Sequence, residues 1–354
     1  MWNPFRSVAP VVEVKAAAGV STTSEQGFVQ FSQSAAVNYA MAVPTISRAR
    51  DLLASVVGAA TIEQYAQQLD PVTGETSHIN LAPTGWMDRP DPAVTRNFLL
   101  ANTFGDMFMF GRAFWLVTKR YASSGYPAAF TWLPAADIQT ADQQPPQWFG
   151  PSPLVTFGGQ QIPSGDLVQF LAPITGLIYT AQRAIRTAYR LDAAAERFSL
   201  TEIPSGYLQQ VGGEPMTGDE LADLAAAWAT ARQENAIGAL NESVKWVESS
   251  TDPSKLQLTE GRAYSSLELA RACSVPPYLV GVAVGGYTYQ NAEQARGDLV
   301  TFGARPYIDC IEQTLSGPNV LPRGRYCKLG LGVWLRDPLG HSTSLEQAVD
   351  IAQV

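Results

Sequence analysis

Ala263-Tyr264-Ser265-Ser266-Leu267-Glu268-Leu269-Ala270-Arg271-Ala272-Cys273-Ser274-Val275-Pro276-Pro277-Tyr278-Leu279-Val280-Gly281 reads as a helix with a hard stop. Ser265-Ser266-Leu267-Glu268 has the form of a capping box, in which a hydroxyl and a carboxylate satisfy orphan amides. Cys273 lies on an apolar helix face before Val275, where a thiol is a core residue rather than a nucleophile. Pro276-Pro277 ends the pattern. A Gly/Val loop from Gly281 to Gly286 follows and continues as Tyr287-Thr288-Tyr289-Gln290. Asn291-Ala292-Glu293-Gln294 is a further capping form; it opens a helix to about Leu315, with a kink expected at Pro306. A strand around Tyr326–Leu335 and a helix from about Thr343 complete the chain, which breaks off in mid-helix pattern, as a shortened form would.

Upstream, the stretch from Glu202 to Glu268 holds four basic and eleven acidic residues, a balance of -7 against -8 for the whole chain. Thr217-Gly218-Asp219-Glu220 is a capping box, and Leu221, Leu224, Ala225 and Trp228 follow at helical spacing. Residues 235–252 are a non-helical interlude in which Val244-Lys245-Trp246-Val247 reads as a short strand, and helical pattern returns near Pro253. Before this excursion, Gly176 to Thr201 reads as one long helix that Pro204 closes. Ile178, Ala181, Ile185, Ala188 and Tyr189 share one face of it. Arg183, Arg186, Arg190 and Arg197 form a narrow stripe nearly opposite. That stripe is either a solvated face, a partner for a neighbouring acidic surface, or a contact for phosphate.

Further upstream the pattern is α+β. Residues 1–40 are polar and small and read as a flexible arm. Pro44 opens a helix that Gly58 ends. A strand-like stretch and two turns follow, then a helix over 93–110 and a strand at Phe114–Thr118. A turn at Ser123-Ser124-Gly125 leads back into Phe130–Leu133. Residues 142–166 hold five Pro and four Gly and read as turns and short edge strands.

The 354 residues suffice for more than one domain, yet only 16% are charged. Eight Trp, thirteen Tyr and fourteen Phe add to the sense of a surface covered by a partner, most simply another copy. No apolar run nears the roughly 18 residues of a membrane span, and no secretory signal is evident at Met1 to Pro10. Cys273, Cys310 and Cys327 make no CxxC, and two His, His78 and His341, are too few for a His-rich metal centre. The acidic balance argues against tight general nucleic-acid binding, though not against a wall past which nucleic acid slides. Gly281–Gly286 lacks the Gly-Lys-Ser/Thr of a phosphate loop. Asp88 and Asp91 sit in a Pro-bounded turn, where Asp normally caps the backbone rather than binding metal.

The opening stretch resembles the part of tailed-phage portal proteins, of the siphophage type, in which a helix runs into Val-Pro-Pro and Leu-x-Gly. Tyr287–Gln294 is similar to that family's Tyr-Ser-Asn-x-Glu-Gln segment. Phe302, Pro306, Ile308 and Ile311 resemble its continuation. Val43-Pro44 to Ala59, Trp132-Leu133-Pro134 and Ile162–Val168 resemble its first wing helix and two strand motifs, in order over about residues 40–316. Gln169 stands where the family often has His, and Pro173-Ile174-Thr175-Gly176 replaces Gly-x-Ser-Pro.

The resemblance implies a portal-type fold: an α/β wing, a two-helix stem with a small clip insertion, a channel-lining helix after a tunnel loop, and the start of a helical crown. Carried onto this chain, the wing is residues 41–216, the stem helices 217–235 and 253–275, and the clip 236–252. The tunnel loop and channel-lining helix take 276–316, a wing return strand 317–338, and the crown begins in 339–354. It further implies a virion protein, made in the host cytoplasm, that forms a ring of about twelve at one capsid vertex. Its partners would be the major capsid protein, the terminase large subunit, a head–tail adaptor protein and double-stranded DNA. Gly285, Gly286, Tyr287, Thr288, Tyr289, Gln290 and Asn291 would face the DNA channel, and Val244, Lys245, Trp246 and Val247 would dock partners. The Arg183/Arg186/Arg190/Arg197 stripe would meet a neighbouring subunit or phosphate. No enzymatic activity, cofactor or metal is implied. The alternatives are another ring-forming head–tail or tail protein, or an oligomeric enzyme with an unrecognised site.

Overall fold

The computed structural model describes residues 36–69, 76–146, 148–200, 206–233, 242–248, 258–282 and 296–332. They fall into two compact units, one of Met1–Arg186 and Ser266–Val354, the other of Thr187–Ser265. Within the residues expected to form an arm, 36–40 are helical and Ala40 is buried.

In the first unit, helix α1 (Pro44–Gly58) begins with proline in its first turn. Ile46, Ala49, Leu53, Val56 and Val57 line its buried face. Strands β1 (Thr61–Leu69) and β2 (Thr76–Leu81) pair antiparallel. Helix α2 (Arg96–Phe110) starts where the Thr95 hydroxyl accepts the Phe98 N–H at 3.2 Å. It ends at Gly111, whose φ of 76° is a left-handed cap. Gly176 packs against that cap so closely that a Cβ there would collide with the backbone of Met109 and Phe110. Strands β3 (Arg112–Arg120), β4 (Pro127–Leu133), β5 (Ile138–Thr140), β6 (Val155–Phe157), β7 (Gln160–Ile162) and β8 (Leu167–Leu171) form two antiparallel sheets, ordered β4-β3-β8 and β5-β6-β7.

Aromatic packing holds this unit together. The buried Trp115 donates its indole N–H to the Thr103 hydroxyl at 2.7 Å and packs between Phe130 and Phe170, with ring centroids at 5.4 and 4.9 Å. The Arg112 guanidinium lies 3.8 Å over the Trp148 ring and donates to the Thr140 hydroxyl, joining β3 to β5. Burial pulls its pKa down to about 10. The Asp106 carboxyl accepts N–H groups from Trp132 and Ala135, both at 2.9 Å, and desolvation pushes its pKa up to about 7.

The expected long helix from Gly176 is two pieces. A single turn, Leu177–Thr180, breaks at Ala181, and α3 (Gln182–Leu200) follows. Ile178, Ala181, Ile185 and Ala188 are buried as expected; Tyr189, at the border of the apolar arc, is 39% exposed.

Strand β9 (Gly206–Gln210), helix α4 (Gly218–Gln233) and strand β10 (Val244–Glu248) belong to the second unit. Helix α5 (Leu258–Ala272) begins there and runs back into the first. Ser265-Ser266-Leu267-Glu268 lies inside α5, so it caps nothing; Ser265 is buried. The stop is real but built differently. Ser274 takes a left-handed φ of 54°, its N–H reaches the Arg271 carbonyl, and the Val275 N–H reaches the Ala270 carbonyl, both at 3.1 Å. This is a Schellman closure with serine in glycine's usual place.

Where a kink is expected at Pro306, the structure has a π-helical turn over Leu299–Ala304, directly before α6 (Arg305–Leu315). A proline lacks the N–H that would continue the ladder, and the added residue in the turn absorbs the mismatch. Strand β11 (Tyr326–Gly330) then pairs with β1, giving the order β11-β1-β2. The Ser316 hydroxyl and the Glu312 carboxylate accept N–H groups from Cys327 and Leu329, both at 2.8 Å, and so pin β11 to the end of α6.

Candidate functional site

The three surfaces singled out from the sequence fare differently. Gly285, Gly286, Tyr287, Thr288, Tyr289, Gln290 and Asn291 lie outside the described residues. So do the capping form Asn291–Gln294 and the segment from Thr343 onward.

The Val244–Val247 strand is β10, and it pairs antiparallel with β9: Val244 faces Gln210, Lys245 faces Gln209, Trp246 faces Leu208 and Val247 faces Tyr207. Alternation divides the four candidates between two faces. Val244 is buried, and the Trp246 ring lies 5.5 Å from the Trp228 ring of α4. These two hold the sheet on its helix. Lys245 and Val247 share the other face with Gln209 and with Tyr207, which is 55% exposed. Tyr207 and Gln209 escaped the sequence reading. Their signal was the alternation in Gly206-Tyr207-Leu208-Gln209-Gln210, too short to stand out without its partner strand.

Helix α4 starts as its capping box requires. The Thr217 N–H donates to Glu220 at 2.8 Å, and the Glu220 N–H reaches the Thr217 hydroxyl at 3.5 Å. The Thr217 N–H and hydroxyl, both donating to the Glu220 carboxylate, hold it below its usual range. Inside the second unit, α5 meets α3: Arg262 donates to Asp192 at 2.8 Å, and Gly261 faces the Leu191 side chain.

Arg183, Arg186, Arg190 and Arg197 are exposed on α3. Among the described residues, Arg183, Arg186 and Arg190 form no ion pair.

Elsewhere the chemistry is quiet. Asp91 accepts the Ala93 N–H at 2.8 Å, a backbone cap, and Asp88 is exposed beside Arg96. Cys273, Cys310 and Cys327 are free and buried, and burial pushes the Cys273 and Cys327 thiols up to about 12. Among the described residues no group of three or more His, Cys, Asp or Glu is placed to hold a metal. Among the described residues no helix is long and apolar enough to cross a membrane. A cleft of about 860 Å³ runs beside β8 and the turn after α6. Among the described residues its one charged lining residue, Arg120, is already paired with Asp166.

Residues 44–341 match the phage portal protein family. The chain belongs to that family, whose role is structural. A curated relative, the probable portal protein of Streptomyces phage phiC31, is 26% identical over 170 residues, 47% of this chain and 36% of that protein. Among solved structures, an HK97 family phage portal protein from Corynebacterium diphtheriae aligns with a TM-score of 0.67 at 22% identity. The alignment covers 84% of this chain and 95% of that one. The neck of a native gene transfer agent particle, computed with C12 symmetry, aligns with a TM-score of 0.59 at 17% identity, over 91% and 88% of the two chains. The fold is therefore that of HK97-family portals.

Proposed function

We propose that the chain is one subunit of a ring, of about twelve copies, at a single vertex of a phage capsid. Double-stranded DNA passes through its centre during packaging and ejection. The ring sits in the capsid shell against the major capsid protein, docks the terminase large subunit during packaging, and later holds the head–tail adaptor. The protein is made in the host cytoplasm and works in the virion, with no cofactor or metal. The observation that carries this reading is the family match over residues 44–341, joined to an α+β body interrupted by a helix-and-sheet excursion. The C12 neck relative supports the ring.

In this reading the body is the wing and the excursion carries stem and clip. The resemblance puts the stem at 217–235 and 253–275. The Arg262–Asp192 contact favours α3 as the partner of α5, with α4 grouped with the β9–β10 sheet as the clip. The docking face is then Tyr207, Gln209, Lys245 and Val247. Gly285–Asn291 is the tunnel loop: polar and aromatic groups without Lys or Arg let DNA slide, where phosphate clamps on every subunit would act as a brake. The experiment is a phage carrying the deletion Gly285–Gln290. Rings are expected to form while packaged or retained DNA falls sharply; normal DNA content overturns the channel assignment.

A further inference from the structure

Helices α3 and α5 each carry charge of one kind toward the other and of another kind away from it. At about 100° per residue, Asp192 lies nearly opposite the sector of about 60° that holds Arg183, Arg186, Arg190 and Arg197. Asp192 is the residue that meets Arg262 of α5. The acidic side of α3 is thus used within the chain, and the basic side is left exposed. On α5 the same count puts Glu260, Tyr264 and Glu268 in a sector of about 80° on the side away from Arg262. All three are exposed, Tyr264 by 60%. Among the described residues, Glu260 and Glu268 form no ion pair. Arg271 shares their sector but sits in the last turn of α5, where a cation answers the helix C-terminal carbonyls.

Each helix therefore offers a different outward stripe: four guanidinium groups on α3, and carboxylate–phenol–carboxylate on α5. We infer that these two stripes are the two halves of one interface between copies of this chain, the Arg stripe of one subunit seating on the Glu260–Tyr264–Glu268 stripe of the next. Two unlike, complementary faces on one molecule make a heterologous contact, which closes into a ring when the rotation per copy allows. The exposed phenol suits the place: guanidinium planes stack on aromatic faces, and tyrosine is a frequent anchor at interface centres. The inference rests on the ring reading and says which helices join the copies.

Charge reversal tests it. One variant carries Arg186→Glu with Arg190→Glu, the other Glu260→Arg with Glu268→Arg. Either variant alone would set like charges against like, and ring yield by native mass is expected to fall about tenfold at equal concentration. Mixed in equal amounts, the variants are complementary at every junction, so rings of alternating subunits are expected to return. Circular dichroism checks that each variant is folded; the altered side chains are exposed, so it should match wild type. Two results overturn the inference: either variant alone forming rings at the wild-type yield, or folded variants that fail to rescue each other. Wild-type protein that yields no ring overturns the ring reading first, and this inference with it.

Discussion

The two units bury their residues very differently. The first unit encloses Trp86, Trp115, Phe104, Phe114, Phe130 and Phe170 almost completely. In the second, among the described residues, only Ala188, Val244 and Ser265 are buried, while Tyr207, Val211, Leu221 and Tyr264 stand exposed. Aromatic and aliphatic groups that a body would enclose are left at the surface, as expected of a part completed by other molecules.

Variants can break that contrast. The largest loss is expected for Trp115→Ala, which removes a buried ring and the indole N–H that the Thr103 hydroxyl accepts: about 3–5 kcal/mol in denaturant unfolding of the first unit. A change under about 1 kcal/mol would mean that the aromatic cluster does not carry the body. A smaller effect, about 1 kcal/mol, is expected for Thr217→Ala, which removes a helix cap. Amide hydrogen exchange should report it as faster exchange confined to α4; a change spread over the body would tie the units together energetically. The smallest effect on stability is expected for Tyr207→Ala with Lys245→Glu, within about 0.5 kcal/mol for exposed positions. The same pair should abolish tail joining or motor docking in a complementation assay. Intact docking would move the partner surface off this face.

Much of the body was legible in the sequence because its signals are local. Pro44 and Gly58 bracket α1 within one residue of the reading, and Thr217 with Glu220 marks the true start of α4. Readings failed where the deciding contact lies far along the chain. Strand β9 was missed because five residues carry little pattern until β10 pairs with them. The break at Ala181 follows a turn that begins at Gly176, seated on the end of α2, a contact that no helical periodicity encodes. Ser265–Glu268 misled because Ser-x-x-Glu also fits the interior of a helix; only burial of Ser265 tells the two apart. The candidate surfaces divide in the same way. The Arg stripe was plain from spacing along one helix. Which of Val244 to Val247 face outward depended on Trp228 covering one side of the sheet.

The proposed role is that of a ring subunit with a passage for DNA. Its most direct test is the native mass of the purified wild-type protein, read together with class averages from negative-stain microscopy. A closed ring of about twelve copies, with a hole near the width of duplex DNA, is the result the ring requires. A compact monomer or dimer at micromolar concentration would contradict it.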